Sequence, residues 1–308
     1  MPRAVQLDHH GSVDVLEVRE VPAPTPGPGR VVVEVVATSI NPGEIPLREG
    51  AFHDQWPSTF PSGQGSDLAG RVVALGPDVT TCSVGDEVLG WTDERAAQAD
   101  LVSVPVDQLV AKPAALGWDE AATLHVAGAA AWASIHAIAP QRGETVVVTG
   151  AAGGVGSVAV QLALRTGARV IGIAGAANQD WLTSLGAVAV THGDGLADRL
   201  RAAAPDGIAA LADTFGGGYV DLALSLAVPL GRINTIIDFE AVQRLGVSAE
   251  GTSSAARVEV LDELAGLVAS GELEITIAAT YPLEQVRRAY TELAQRHTRG
   301  KIVLRLRD

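Results

Sequence analysis

The sequence predicts an α/β protein of two lobes, an antiparallel, barrel-like β region and a doubly wound parallel sheet of alternating strands and helices. Three observations lead there. The 308 residues exceed the size at which a single hydrophobic core stops growing. From Arg3 to about Lys112, short β-branched runs alternate with Pro/Gly turns. After Pro113 to Gly117 the texture changes to apolar strands separated by helical stretches, the pattern of βαβ units.

In chain order, Val31 to Val36, Arg71 to Leu75, Glu87 to Leu89 and Leu101 to Val104 are strands of the first region, with turns such as Pro22 to Gly29 between them. The apolar segment Ala121 to Ala139 carries His125 and His136 and follows Asp119 and Glu120, so it reads as a buried helix and not a membrane span. A buried strand Thr145 to Thr149, a glycine turn, a helix from Ser157 and a strand Arg169 to Ala174 follow. Gly207 to Asp213 and Arg232 to Ile237 continue the series, with Gly186 and Gly231 where helices end, and the sheet is expected to hold about six strands. From Leu273 come short strands, a helix Leu283 to Gln295 and a last strand Lys301 to Leu306, expected to rejoin the first lobe. There is no internal repeat.

The net charge of −14, with no basic run longer than Arg287-Arg288, argues against nucleic acid and anionic membrane surfaces as partners. Cys82 is the only cysteine, which rules out an internal disulfide and a multi-cysteine metal site and makes a reducing cytoplasm the expected setting. Met1-Pro2-Arg3-Ala4-Val5 leads into alternating strand-like sequence without a signal-type apolar stretch, so no export is expected.

Thr145 to Ala163, TVVVTGAAGGVGSVAVQLA, is a strand, a glycine turn and a helix opened by small residues, the context a dinucleotide fingerprint requires. Gly150, Ala151, Gly153, Gly154 and Val155 form the turn. Gly153 would let the backbone approach a pyrophosphate, Gly156 would let the helix pack on the strand, and free helix amides would hold the anion. Ala151 stands where the strict pattern has its first glycine, and a tight turn without ligand is the alternative reading. About 20 residues on, an NAD site places an acid on the adenosine ribose. Here Gly175 to Asn178 contains none, and no Lys or Arg lies between Val170 and Leu196. NADPH is therefore expected over NADH through the missing acid alone, with Gly175, Asn178 and His192 at the adenosine end.

The chain resembles the zinc-independent, quinone oxidoreductase-like branch of the medium-chain dehydrogenase/reductase superfamily. The resemblance runs through His10 to Glu17, Ala37 to Pro42, Gly65 to Gly70, Val84 to Val88, Gly150 to Gly156, Asp213 to Gly217 and His297 to Leu304. It implies a GroES-like β-rich catalytic domain over 1–117 and 271–308, a Rossmann cofactor domain over 118–270, an active site in the cleft where nicotinamide lies, and a homodimer. Where zinc-dependent relatives have metal ligands, this chain has Asn41, Ser66 and Val126, so no zinc is expected.

Without a Lewis acid, the hydride acceptor must already be electron-poor, as a quinone or conjugated enone is. The resemblance places Asn41 beside the nicotinamide, orienting the substrate carbonyl or the cofactor ribose; it is equally a turn residue before Pro42. Phe52 stands where related enoyl reductases carry a proton-donating tyrosine, which favours quinones, because a quinone takes its proton from water. His53 is a candidate proton donor or an exposed loop residue, and His125 belongs to the core or to the cleft wall. Phe215, Ile236 and Ile237 are candidates to wall the nicotinamide, and Lys301, one of two lysines, matches a cofactor-proximal lysine. The expected function is metal-free, NAD(P)H-dependent reduction of a small-molecule quinone or similar carbonyl. Reduction of an enone C=C bond in secondary metabolism, or NADPH binding with little turnover, are the alternatives.

Overall fold

The valine-rich run Arg30–Ser39 is buried along nearly all its length, as expected for a strand covered on both faces. In the computed structural model, which describes residues 1–307, it pairs antiparallel with Asp67–Leu75, with Leu101–Pro105 and with the last strand, Lys301–Arg305. Register shifts between Val32 and Val33 and between Val35 and Ala37 bend it, the usual device for curling a sheet toward a barrel. Glu87–Trp91 and Leu109–Ala111 extend the sheet on one side and Ile277–Pro282 on the other. A small three-stranded sheet is built from Glu17–Glu20, Arg3–Leu7 and Ser62–Gly63.

The chain divides into two units: Met1–Val126 with Arg257–Glu272 and everything from Ile277, and Ala127–Ala256 with Leu273–Thr276. Three segments lie on the other side of the boundaries drawn from the sequence: 118–126 and 257–270 fall in the first unit, and Leu273–Thr276 in the second. The helix Trp118–Ala121 packs on the strands Arg30–Ser39 and Asp67–Leu75, and the helix Val258–Ala269 packs on Leu109–Ala111. The apolar face of Val260, Leu261, Leu264 and Ala265 dictates burial but does not say against which partner.

The second unit is a parallel sheet in the spatial order Val188–Thr191, Arg169–Ala174, Thr145–Val148, Ala210–Asp213, Ile233–Thr235, a doubly wound arrangement. It has five strands where about six were expected. Ser248 makes only an isolated bridge to Asn234, and the Asn234 side chain takes over as strand partner, accepting from the Glu250 amide at 2.7 Å and donating to its carbonyl at 3.0 Å.

The helix expected over Ala121 to Ala139 is divided into Trp118–Ala121, one π-helical turn Leu124–Gly128, and Ala129–Ile138. Apolar composition dictates burial, whereas the hydrogen-bond phase is decided by tertiary contact: the Val126 amide donates to the Asp67 carboxylate at 2.7 Å. Among the described residues no helix is long and apolar enough to cross a membrane.

The helix Gly154–Arg165 crosses the sheet closely at Gly156, where an added Cβ would stand 2.1 Å from the Gly150 carbonyl oxygen. Gly156→Ala is expected to cost about 1–3 kcal/mol, while Gly266→Ala, in open space on an exposed helix face, should be neutral or stabilise by up to about 1 kcal/mol. Thermal unfolding of the two variants checks this order.

Candidate functional site

In the first unit the site is a buried polar network with Asp67 at its centre. Asp67 opens the strand Asp67–Leu75 and is 1% exposed. Its carboxylate accepts from the Ser39 hydroxyl at 2.6 Å, the Asn41 side-chain amide at 2.8 Å and the Val126 backbone amide at 2.7 Å. Asn41 gives its second amide hydrogen to Glu44 at 3.3 Å, and its oxygen accepts from the Lys301 ammonium. Lys301 also donates to the Ile40 carbonyl at 3.1 Å and stands 4.0 Å from Asp67.

Glu44 opens the helix Glu44–Arg48 and joins this network to a second one. It accepts from the Asn41 backbone amide at 3.0 Å and from the Tyr290 hydroxyl, which itself accepts from Gln64 at 3.0 Å and Gln98 at 2.8 Å. Burial raises the Glu44 carboxyl above its ordinary range against the pull of these donors, and burial lowers the Lys301 ammonium against Asp67 and Glu44.

The structure thus brings Asn41 and Lys301 into direct contact, while Phe52 and His53 lie apart in the turns after Gly50. The Phe52 ring meets Trp56 edge-on at 5.6 Å and offers no proton. His53 is exposed, its Nδ1 3.2 Å from the Nε2 of His10, and His10 in turn bonds the Arg48 carbonyl. With both amide hydrogens of Asn41 committed to carboxylates, none is left for a substrate carbonyl.

His125 belongs to the same network through its backbone neighbour, Val126. Its ring lies flat on the indole of Trp91, the register partner of Asp67, with centroids 4.3 Å apart and planes 5° apart. Burial lowers its pKa, outweighing the opposite influence of Asp67 and Asp93.

In the second unit the turn 150–153 joins the strand Thr145–Val148 to the helix Gly154–Arg165. Gly150 has φ of 55°, and a Cβ there would meet Thr214 at 3.0 Å and Phe215 at 3.3 Å. Ala151, at the first glycine position of the strict pattern, is fully buried. Apart from its chain neighbours, a Cβ on Gly153 would meet only the Gly150 carbonyl oxygen, at 3.2 Å, with no side chain within 4 Å. Among the described residues the amides of Gly154, Val155 and Gly156 meet no backbone acceptor outside their helix. An open cradle beside unpaired helix amides fits a pyrophosphate.

Asp213, fully buried, ties the strand ends together. It accepts from Thr149 at 2.6 Å, from Thr235 at 2.8 Å, and from the amides of Phe215 and Gly216. Thr235 accepts from the amides of Ile237 and Asp238. The candidates Phe215, Ile236 and Ile237 therefore sit on loops anchored by one carboxylate. At the far end, His192 is exposed, with its Nε2 3.7 Å from where a Gly175 Cβ would be, and Asn178 ends a short 3-10 turn.

The sequence reading gave no roles to Glu44, Asp67, Tyr290, Thr149, Asp213 or Thr235. Asp67 had the available signal, an acid at the head of an apolar run, Leu68-Ala69. Asn41, Ser66 and Val126, at the expected metal-ligand positions, offer no thiolate or imidazole, and Asn41 and Val126 both donate to Asp67.

Residues 27–114 match the family described as alcohol dehydrogenase GroES-like domain, and residues 185–304 match that described as zinc-binding dehydrogenase. The polyketide synthase GfsB of Streptomyces halstedii is 30% identical over 295 residues, covering 90% of this chain, and the chain spans 5% of that protein's length. The quinone oxidoreductase of Pseudomonas aeruginosa is 28% identical over 326 residues, covering 99% of both chains. The solved structure of the quinone oxidoreductase from Coxiella burnetii superposes with a TM-score of 0.90 at 28% identity, over 99% of both chains.

Lys301→Met leaves two buried carboxylates without their cation and is expected to cost about 3–5 kcal/mol; adding Asp67→Asn should recover at least about 1 kcal/mol. Urea titrations of the double-mutant cycle measure the coupling, and a value near zero would show that the pair does not interact. For His125 the folded value lies below the unfolded one, near 6.5. Stability from its neutral ring is present above that pH and is lost as pH falls through the folded value. The stability advantage of wild type over His125→Phe should therefore be smaller at pH 5 than at pH 7.5, measured by urea unfolding.

Proposed function

We propose, from the premise that this chain belongs to the medium-chain dehydrogenase/reductase superfamily as an oxidoreductase of the quinone oxidoreductase type, that it is a metal-independent, NADPH-dependent reductase of quinones and similarly activated carbonyls. The observation that carries the reading is the cradle over Gly153, with no side chain within 4 Å of a Cβ placed there and faced by the unpaired amides of Gly154, Val155 and Gly156. When bound there, the dinucleotide supplies a hydride, and one proton from water completes the conversion of quinone to hydroquinone.

Each of the chain's own residues has a part in this reading. Gly150, Ala151 and Gly153 shape the turn against the pyrophosphate. Gly175, Asn178 and His192 receive the adenosine end, where the lack of an acid favours NADPH. Phe215, Ile236 and Ile237, held by Asp213 and Thr235, wall the nicotinamide. Asn41, its amide hydrogens spent, holds the ammonium of Lys301, the lysine that the resemblance places near the cofactor.

An acceptor that is electron-poor in its own right needs no Lewis acid, which suits a site whose ligand positions hold an amide, a hydroxyl and an alkyl group. Phe52 in place of a tyrosine agrees with a quinone, whose oxygens are protonated from water. Cytosolic residence, in keeping with a lone cysteine, and a two-fold symmetric homodimer complete the reading.

The test is oxidation of NADPH, and separately of NADH, followed by loss of reduced-nicotinamide absorbance with ortho- and para-quinones and small enones. Faster oxidation of NADPH with hydroquinone as product, undiminished by a chelator, is the expected result; a saturated ketone would instead assign C=C reduction. Gly153→Val should fold normally and weaken NADPH binding at least about tenfold, roughly 1.4 kcal/mol, by calorimetry. Unchanged binding would remove the cradle from the site.

A further inference from the structure

We infer that His125 is the hydrogen-bond donor to the acceptor oxygen that becomes negative during the proposed reduction. The inference rests on the reading that the acceptor is a quinone or similar carbonyl, and it supplies the donor that this reading lacks.

The other polar residues expected near the reacting groups are spent on the chain itself or lie at the surface, with the Lys301 ammonium donating to Ile40 and Asn41. Phe52 has no polar atom, Asn41 has committed both amide hydrogens to Asp67 and Glu44, and His53 is an exposed ring that meets His10 through Nδ1. His125 differs. It is 6% exposed, and among the described residues neither ring nitrogen has a hydrogen-bond partner. Neither nitrogen is among the atoms sealed from solvent without a partner, so both stay open to a bound group at a ring that is otherwise enclosed.

Its orientation is also fixed in advance. The stack on Trp91 holds the ring plane while leaving both in-plane nitrogens at the ring edge. The π-helical turn Leu124–Gly128 carries the residue, and such turns recur at functional sites because the inserted residue re-aims a side chain. The next amide, Val126, is bound to Asp67, whose other oxygen holds Asn41 and Ser39. His125 is thereby tied to the network that contains Asn41 and Lys301.

The ring is suited chemically. Burial favours its neutral form, which has one N–H donor, and no proton leaves it: the ring donates a hydrogen bond to the developing oxyanion, and the proton that neutralises the oxygen comes from water. A preorganised donor of this kind contributes about 10² to 10³ in kcat when removed elsewhere.

Two readouts test this. His125→Phe keeps an aromatic ring against Trp91 but has no donor, and His125→Gln keeps a donor. The first should lose about 10² in kcat with KM for NADPH unchanged, and the second should regain at least about tenfold. Independently of turnover, the His125 imidazole resonances, identified by their absence from His125→Gln, should shift when 1,4-naphthoquinone is added to wild-type protein without cofactor. A Phe variant within twofold of wild type, or naphthoquinone that shifts other signals but leaves His125 unmoved, overturns the inference while quinone reduction stands. A His125 shift without turnover of any quinone keeps the donor and sinks the reduction reading; neither shift nor turnover sinks both. The resonance readout needs no folded Phe variant.

Discussion

A carboxylate taken out of water must be surrounded by donors, and the first unit's site is arranged around that requirement at Asp67. Three hydrogen bonds and a lysine at 4.0 Å satisfy it, and each donor comes from a different part of the chain: the end of the Arg30–Ser39 strand, the segment after it, the π-helical turn and the last strand. The requirement fixes more than Asp67 itself. It sets the phase of the Leu124–Gly128 turn, consumes the amide of Asn41, and holds Lys301 with its charge buried. Removing any partner exposes the others to the full cost of an unpaired buried group, which is why the network behaves as a unit.

The second unit meets the same physical problem at Asp213 and solves it with neutral donors. Two threonine hydroxyls and two backbone amides bind the carboxylate, and the loops that carry Phe215 and Ile237 are stiffened as a result. A loop that must present apolar side chains without collapsing gains from such an anchor, because the order comes from hydrogen bonds beneath it and not from burial of the apolar groups. Phe215 and Ile237 indeed keep 37% and 40% of their surface exposed.

Taken with the family, these arrangements describe an oxidoreductase whose polar groups are spent largely on one another. Of the residues at the positions expected to carry metal ligands, Asn41 and Val126 donate to Asp67, Phe52 stands where the resemblance expects a tyrosine, and the chain's excess negative charge offers no broad attraction for anionic acceptors. In the proposed reading, chemistry in such a site depends on a reactive acceptor and on few, well-placed donors.

The sequence by itself determined the fold class, because period-2 valine runs and strand–glycine–helix units are local patterns whose burial has one economical solution. It determined the glycine turn too: the positive φ at Gly150 and the close approach at Gly156 are backbone demands that glycine meets. It pointed to Asn41 and Lys301 but not to their contact, which joins positions 260 residues apart. Only the tertiary structure decided that Asp67, Glu44 and Tyr290 share one network, that the helix at His125 breaks into a π-helical turn, and that Val258–Ala269 packs with the β-rich unit. Those outcomes depend on which buried polar group finds which distant partner, and hydrophobic periodicity carries no information about that pairing.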